Sequence, residues 1–261
     1  MNKTQLYFRQ FPFFLALKLS LNAMFKRWLN PEAIVWYSQL GEDQYILSLL
    51  CDFDDFQGSK GGFYLDVGSN HPIRFSNTFG LYCRGWRGIC IEANANLINK
   101  CKKIRKLDWA VHAAVSDEEK DVDFYVSTLD LVSTIHPPFL EKEWADGNFK
   151  LKEKVKMHTA TLDTILDNFS KQADSHALDH IDLLSIDVEG HDFNVLRSIN
   201  LEKYRPAIIV IEMIGFDKMH PDQNEICQYL DHFKYDMQGY HMINGFFVAR
   251  ELKNRKSHSY S

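Results

Sequence analysis

The chain has no Cys-x-x-Cys pair, no excess of positive charge, no apolar run long enough to span a bilayer and no internal repeat. Each absence removes a class. Its five cysteines, Cys51, Cys83, Cys90, Cys101 and Cys227, are odd in number and widely spaced. That pattern suits reduced thiols in a cytoplasmic protein and argues against a disulfide framework or a zinc site. A formal net charge of −5 argues against a general nucleic-acid binder. Phe11 to Phe25 is apolar, but Pro12, Lys18 and Asn22 interrupt it and Arg9, Lys26 and Arg27 flank it. The stretch is too short and too punctuated to cross a membrane. It also lacks the clean apolar core and small-residue cleavage site of a signal peptide. Residues 1–30 therefore read as a helical preface that packs on the domain. The second reading lays it on the inner face of a membrane as a peripheral contact.

What remains is ordinary globular composition, 45% hydrophobic and 25% charged over 261 residues, enough for one large domain with an appendage. The pattern divides it into a helical extension over 1–35, a domain over 36–250 and a polar tail over 251–261. Short apolar runs alternate with helix-compatible stretches. Strands are expected at 63–67, 89–92, 109–115, 122–126, 155–160, 181–187 and 206–212, with a closing hairpin of 235–240 and 245–249 about Asn244-Gly245. Helices are expected at 75–83, 94–105, 192–199 and 222–233, with a capped start at Thr161. Residues 127–153 read as irregular, and their aromatic residues Phe139, Trp144 and Phe149 favour an ordered lid over the acceptor. Near-continuous apolar strands suit a parallel sheet covered on both faces.

The chemistry concentrates at strand ends. Gly61-Gly62-Phe63-Tyr64-Leu65-Asp66-Val67-Gly68-Ser69-Asn70 is a strand that breaks at a glycine before a helix, the place where an open α/β sheet receives a nucleotide-like ligand. On its own, Asp66 reads equally well as a buried acid capping its turn. Glu92 ends the second strand 24 residues beyond Gly68, close to the roughly 20-residue spacing at which an acid meets ribose hydroxyls. Asp187 and Glu212 end two later strands. Four acids on one sheet edge are costly unless cations or hydrogen-bond donors share the space.

Five motifs in order give the resemblance: Ser-Gln-x-Gly-Glu-Asp (38–43), Phe-Tyr-Leu-Asp-Val-Gly-Ser-Asn (63–70), Ile-Glu (91–92), Thr-Leu-Asp (161–163) and Ile-Asp-Val-Glu-Gly-His (186–191). Together they resemble the FkbM-type methyltransferases over about residues 36–250. The resemblance implies a Rossmann-like class I methyltransferase fold, with a mostly parallel seven-stranded sheet and a C-terminal antiparallel hairpin. It implies S-adenosylmethionine as the donor and O-methylation, often of sugars in glycans. By resemblance, Asp66, Gly68, Ser69 and Asn70 would hold the methionine part of the donor and Glu92 its ribose, with Ala93 beside it. The loop Ala114–Asp117, with Ala114 and Ser116, would lie near the adenine, and Asp187 would also touch the donor. His71-Pro72 departs from the glycine many methyltransferases carry there, and His71 reads as sealing the turn.

A sugar hydroxyl is a poor nucleophile at neutral pH and needs a base or a metal. His191 is the expected general base, with Asp187 beside it. Asp187 and Glu212 are the candidate oxygen ligands for Mg²⁺. Against these stand blander roles: His191 as a structural histidine, Glu212 as a helix cap, Glu189 in a salt bridge. Ser133, Thr134, His136 and Glu189 are candidates for contact with the acceptor, a saccharide such as a nucleotide sugar, glycolipid or surface glycan, or another hydroxylated molecule. The rival functions are a nicotinamide-dependent oxidoreductase, which wants the later glycines that Gly68-Ser69-Asn70-His71-Pro72 lacks, and a non-catalytic scaffold of the same fold.

Overall fold

The computed structural model describes residues 3–29, 36–51, 61–128, 133–136, 150–172 and 178–252. Seven strands make the main sheet: β1 (Phe63–Val67), β2 (Arg87–Glu92), β3 (Trp109–His112), β7 (Leu183–Ile186), β8 (Ile208–Glu212), β9 (Tyr235–His241) and β10 (Asn244–Ala249). Their spatial order is β3-β2-β1-β7-β8-β10-β9, parallel except for β10, which runs antiparallel to both neighbours. The order reverses at β1, with β2 on one side and β7 on the other, and there the cleft opens. This is the Rossmann-like methyltransferase architecture expected from the sequence.

Side chains alternate across the sheet. Ile209 and Ile211 of β8 join one core cluster and Ile208 and Val210 the other, all four fully buried. The helices α6 (Leu162–Gln172), α7 (Asp192–Arg197) and α8 (Glu225–His232) cover the first face. The second is covered by α3 (Glu42–Cys51), α4 (Phe79–Tyr82), α5 (Ala95–Ile104) and the N-terminal pair α1 (Lys3–Gln10) and α2 (Phe13–Leu29). Truncating any one of these β8 side chains to alanine is expected to cost about 2–5 kcal/mol. Helix starts are tied locally: the Asn94 side chain accepts from the Asn96 and Leu97 amides, and Ser38 and Asp43 bond reciprocally before α3.

Four sequence expectations change. The run 109–115 splits, because β4 (Ala114–Val115) leaves the main sheet and joins a second one, ordered β4-β6-β5, with β5 (Asp121–Ser127) and β6 (Leu151–Ala160). Strand β6 therefore begins four residues earlier than its apolar part suggests. The helix expected at 75–83 shrinks to α4, since Phe75 sits in the left-handed region at φ 57°. The final hairpin turns at Met242, φ 55°, while Asn244 and Gly245 already belong to β10. Most of the expected lid, including Phe139, Trp144 and Phe149, lies outside the described residues.

Candidate active site

A cleft of about 410 Å³ lies at the carboxyl ends of the strands, a size typical of small-molecule sites. One wall is the turn after β1. Its Gly68 has φ 75°, and a Cβ there would sit 1.7 Å from the backbone oxygen of Asp187, so no other residue fits between β1 and β7. The amides of Gly68 and Ser69 both donate to the Ile91 carbonyl. Glu92 then clamps the turn. Its Oε2 accepts from the Asn70 amide at 2.8 Å and its Oε1 from the Asn94 amide at 2.7 Å. Burial pushes the Glu92 carboxyl up to about 7, against the pull of those amides. Each oxygen keeps a lone pair for a ligand hydroxyl. His71 Nδ1 accepts from the Ile73 and Arg74 amides, which seals the turn.

Asp66 faces away from this wall. It is buried behind the turn, accepts a short hydrogen bond from Thr78, and lies 3.6 Å from the Arg105 guanidinium. Arg105, fully buried, also donates to Pro72 O, Thr78 Oγ1 and Ser76 Oγ, and pairs with Asp108 at 3.7 Å. This network holds the 72–78 loop in place. The alternation of β1 explains the placement, for Asp66 shares a face with Tyr64 and not with Val67, which lines the cleft.

The opposite wall is the turn after β7. Glu189 and Gly190 take left-handed backbone, and Asp192 ties the turn by accepting from the Val188 and Gly190 amides. Asp187, Glu189, His191 and Glu212 line the cleft here, with Thr134 Oγ1 bonded to the Glu189 carbonyl at 2.9 Å. The acids crowd. Burial, then the charges of Asp187 and Asp192, push Glu212 up to about 11, and its Oε2 is buried without a hydrogen-bond partner. Desolvation and then Asp66 and Glu42 push Asp187 up to about 6. Desolvation and then Asp187 push Asp192 up to about 7.

His191 carries the basic atom. Its Nε2 is 2.9 Å from Ser116 Oγ, which is 3.2 Å from Asp117 Oδ1. Asp117 also accepts from Asn194 and Arg197, and these bonds outweigh partial burial to hold its carboxyl below the usual range. An ionised carboxylate only accepts, so the single Ser116 proton points to Asp117. His191 Nε2–H must then donate to Ser116, which leaves the lone pair on Nδ1. Burial lowers the imidazole pKa, with Asp117 opposing, so the ring is neutral at pH 7 and able to accept a proton.

Of the residues singled out from the sequence, Gly68, Asn70, Glu92, Ala93, Ala114, Ser133, Thr134, Asp187, Glu189, His191 and Glu212 line one cleft. Asp66 and Ser69 are buried outside its lining, Ser116 stands behind His191, and the His136 ring lies 6.4 Å from that of His191. Sequence reasoning gave no role to Gln39 and Ile243, which close the cleft from segments far apart in the chain, or to Arg105, which acts from behind, and it placed Asp117 near the adenine where the structure sets it behind Ser116. Gln39 had a signal as the second residue of the Ser-Gln-x-Gly-Glu-Asp motif; Ile243 and Arg105 had none.

Asp187 and Glu212 come close to one another, yet among the described residues no group of three or more His, Cys, Asp or Glu side chains could hold a metal ion. The described donors stop at two carboxylates, and Mg²⁺ would have to complete its near-octahedral shell from water or acceptor oxygens. A donor bearing a sulfonium, an ammonium and ribose hydroxyls does fit. The described lining offers Glu92, Asp187, Glu189 and Glu212, an orphan oxygen on Glu212, apolar wall from Val67, Ile91 and Phe124, and no Lys or Arg. The same lining offers no basic side chain to the pyrophosphate of a nicotinamide dinucleotide. The family model described as methyltransferase FkbM domain matches residues 66–237. No curated protein and no solved structure matches the chain.

Proposed function

This chain belongs to the FkbM methyltransferase family, and from that premise we propose that it methylates a saccharide hydroxyl, with S-adenosylmethionine as donor and His191 as base. When bound, S-adenosylmethionine supplies a methyl group on a positively charged sulfur. Glu92 accepts from the ribose hydroxyls, and the Gly68–Asn70 turn, held in shape by Glu92 and by Arg105 behind it, receives the methionine part. Asp187 favours positive charge in the cleft. The acceptor lies toward Thr134, Ser133 and Glu189, where its hydroxyl proton passes to His191 Nδ1. Ser116 and Asp117 hold the ring so that Nδ1 is the atom presented. The acidic lining supports a neutral sugar over a phosphate-bearing one.

The observation that carries this reading is a neutral histidine, locked in one tautomer, in a cleft lined by carboxylates and no described cation. Methyl-labelled donor incubated with the purified chain and a panel of neutral saccharides is expected to label at least one acceptor. His191→Gln should lower kcat about a hundredfold to ten-thousandfold while donor affinity is unchanged. Donor binding without transfer to any hydroxyl would overturn the sugar assignment, and loss of donor binding in His191→Gln would overturn the role given to the ring.

A further inference from the structure

The helix pair α1 and α2 has two apolar faces. One is turned inward: Phe11 is 3% exposed, with its ring 5.3 Å from Tyr82 and 5.7 Å from Phe79, and Ala16 is fully buried. Leu15 and Leu19 pack against the same cluster, and Gln10 exchanges hydrogen bonds with Tyr82. The other face is open to solvent. Phe13 is 63% exposed, Phe14 83%, Leu17 38% and Leu21 43%, and Phe8 of α1, 41% exposed, lies beside Phe13 with rings 5.6 Å apart. At about 100° per residue, positions 13, 14, 17 and 21 share one stripe of α2, and 15, 16 and 19 fall on the far side. Contiguous apolar surface of this kind marks an interaction site.

Charge says what the stripe meets. Residues 1–31 contain Lys3, Arg9, Lys18, Lys26 and Arg27 and no acid, which leaves 25 basic and 35 acidic residues on the rest of the chain. Arg9 and Lys18 are exposed at the border of the stripe. A basic, aromatic-tipped segment fixed to an acidic body matches a negatively charged lipid surface, which would repel the body and attract the segment. No helix among the described residues is long and apolar enough to cross a membrane, so the helix must lie in the interface plane.

We propose that the outward face of α1 and α2 docks the protein on an anionic bilayer, with Phe13 and Phe14 inserted among the lipid headgroups and Arg9 and Lys18 on the phosphates. The proposal stands apart from the methyl-transfer reading. Its test is flotation of the full chain with phosphatidylcholine vesicles, with and without phosphatidylglycerol. The chain is expected to float with the anionic vesicles alone and to detach as salt is raised. Phe13→Ser/Phe14→Ser should cut the bound fraction at least about tenfold, and Lys18→Glu should weaken it, both with thermal unfolding unchanged because these side chains are exposed. Absence of flotation, equal flotation on neutral vesicles, or undiminished flotation of the double variant would overturn the proposal. So would light scattering that shows the parent chain as a dimer and the double variant as a monomer, since the face would then belong to a second copy.

Discussion

Two groups of buried acids sit on the same sheet and differ in one respect. Asp66 and Asp108 flank the guanidinium of Arg105, which touches both within 4 Å and is itself fully buried. Asp187 and Glu212, at the ends of β7 and β8, and Asp192, which opens α7, make no ion pair among the described residues. Burial raises the carboxyl pKa in both groups, but Asp108 reaches only about 6 where Glu212 reaches about 11. The first group is structural, its charge answered from within the fold. The second has no cation within the fold, and its Asp187 and Glu212 line the cleft, an arrangement suited to a ligand that brings positive charge.

The largest effect should come from breaking the answered group. Arg105→Met leaves two buried acids without their cation and removes three hydrogen bonds from the 72–78 loop, so urea unfolding should show a loss of about 3–5 kcal/mol. A loss below about 1 kcal/mol would erase the distinction between the groups. A smaller effect should appear with pH. The unfolded carboxyls titrate near 4, while Asp187, Asp192 and Glu92 in the fold titrate at about 6, 7 and 7. Their protonated forms are therefore favoured by folding. That stability is fully present below the unfolded pKa and is lost as pH rises through the folded values, so Tm without ligand should fall between pH 5.5 and 8. His191, with its lowered pKa, opposes this trend only below about 6.5. The smallest effect should come from Glu212→Gln. At pH 4 the acid is protonated in the fold and largely so when unfolded, and an amide of the same shape should keep stability within about 1 kcal/mol of the parent. As pH rises above that the variant should become the more stable of the two, since the unfolded Glu212 ionises near 4.5 while the folded one keeps its proton.

The central sheet was readable because β1, β2, β7 and β8 are covered on both faces, and full burial leaves continuous apolar runs. The side sheet was readable only in part, at 122–126 and 155–160. Residues 151–156 of β6 are all exposed, and Leu-Lys-Glu-Lys-Val-Lys carries no burial signal for backbone pairing to reveal. At the site, types were legible and directions were not. Asp187, Glu212 and His191 could be placed near one another from their strand ends alone. That Asp66 turns its back on the cleft depends on the pleat of β1 and on Arg105, which in sequence looks like one more basic residue at a helix end. The Ser116–Asp117 support of His191 joins residues 75 and 77 positions apart through side chains that no local pattern connects.

The hairpin of β9 and β10 also dictates when the cleft can exist. Ile243 completes its wall, Asn244 reaches back to Glu42 across 202 residues, and β10 enters the sheet between β8 and β9. During synthesis the turns after β1 and β7 can form long before that strand arrives, so a nascent chain displays its crowded acids to water and cannot yet enclose a ligand. The longest-range contacts of the domain therefore close only after synthesis has passed residue 249. A chain clipped before β10 lacks Ile243 and the Asn244–Glu42 tie, and its cleft is open on that side.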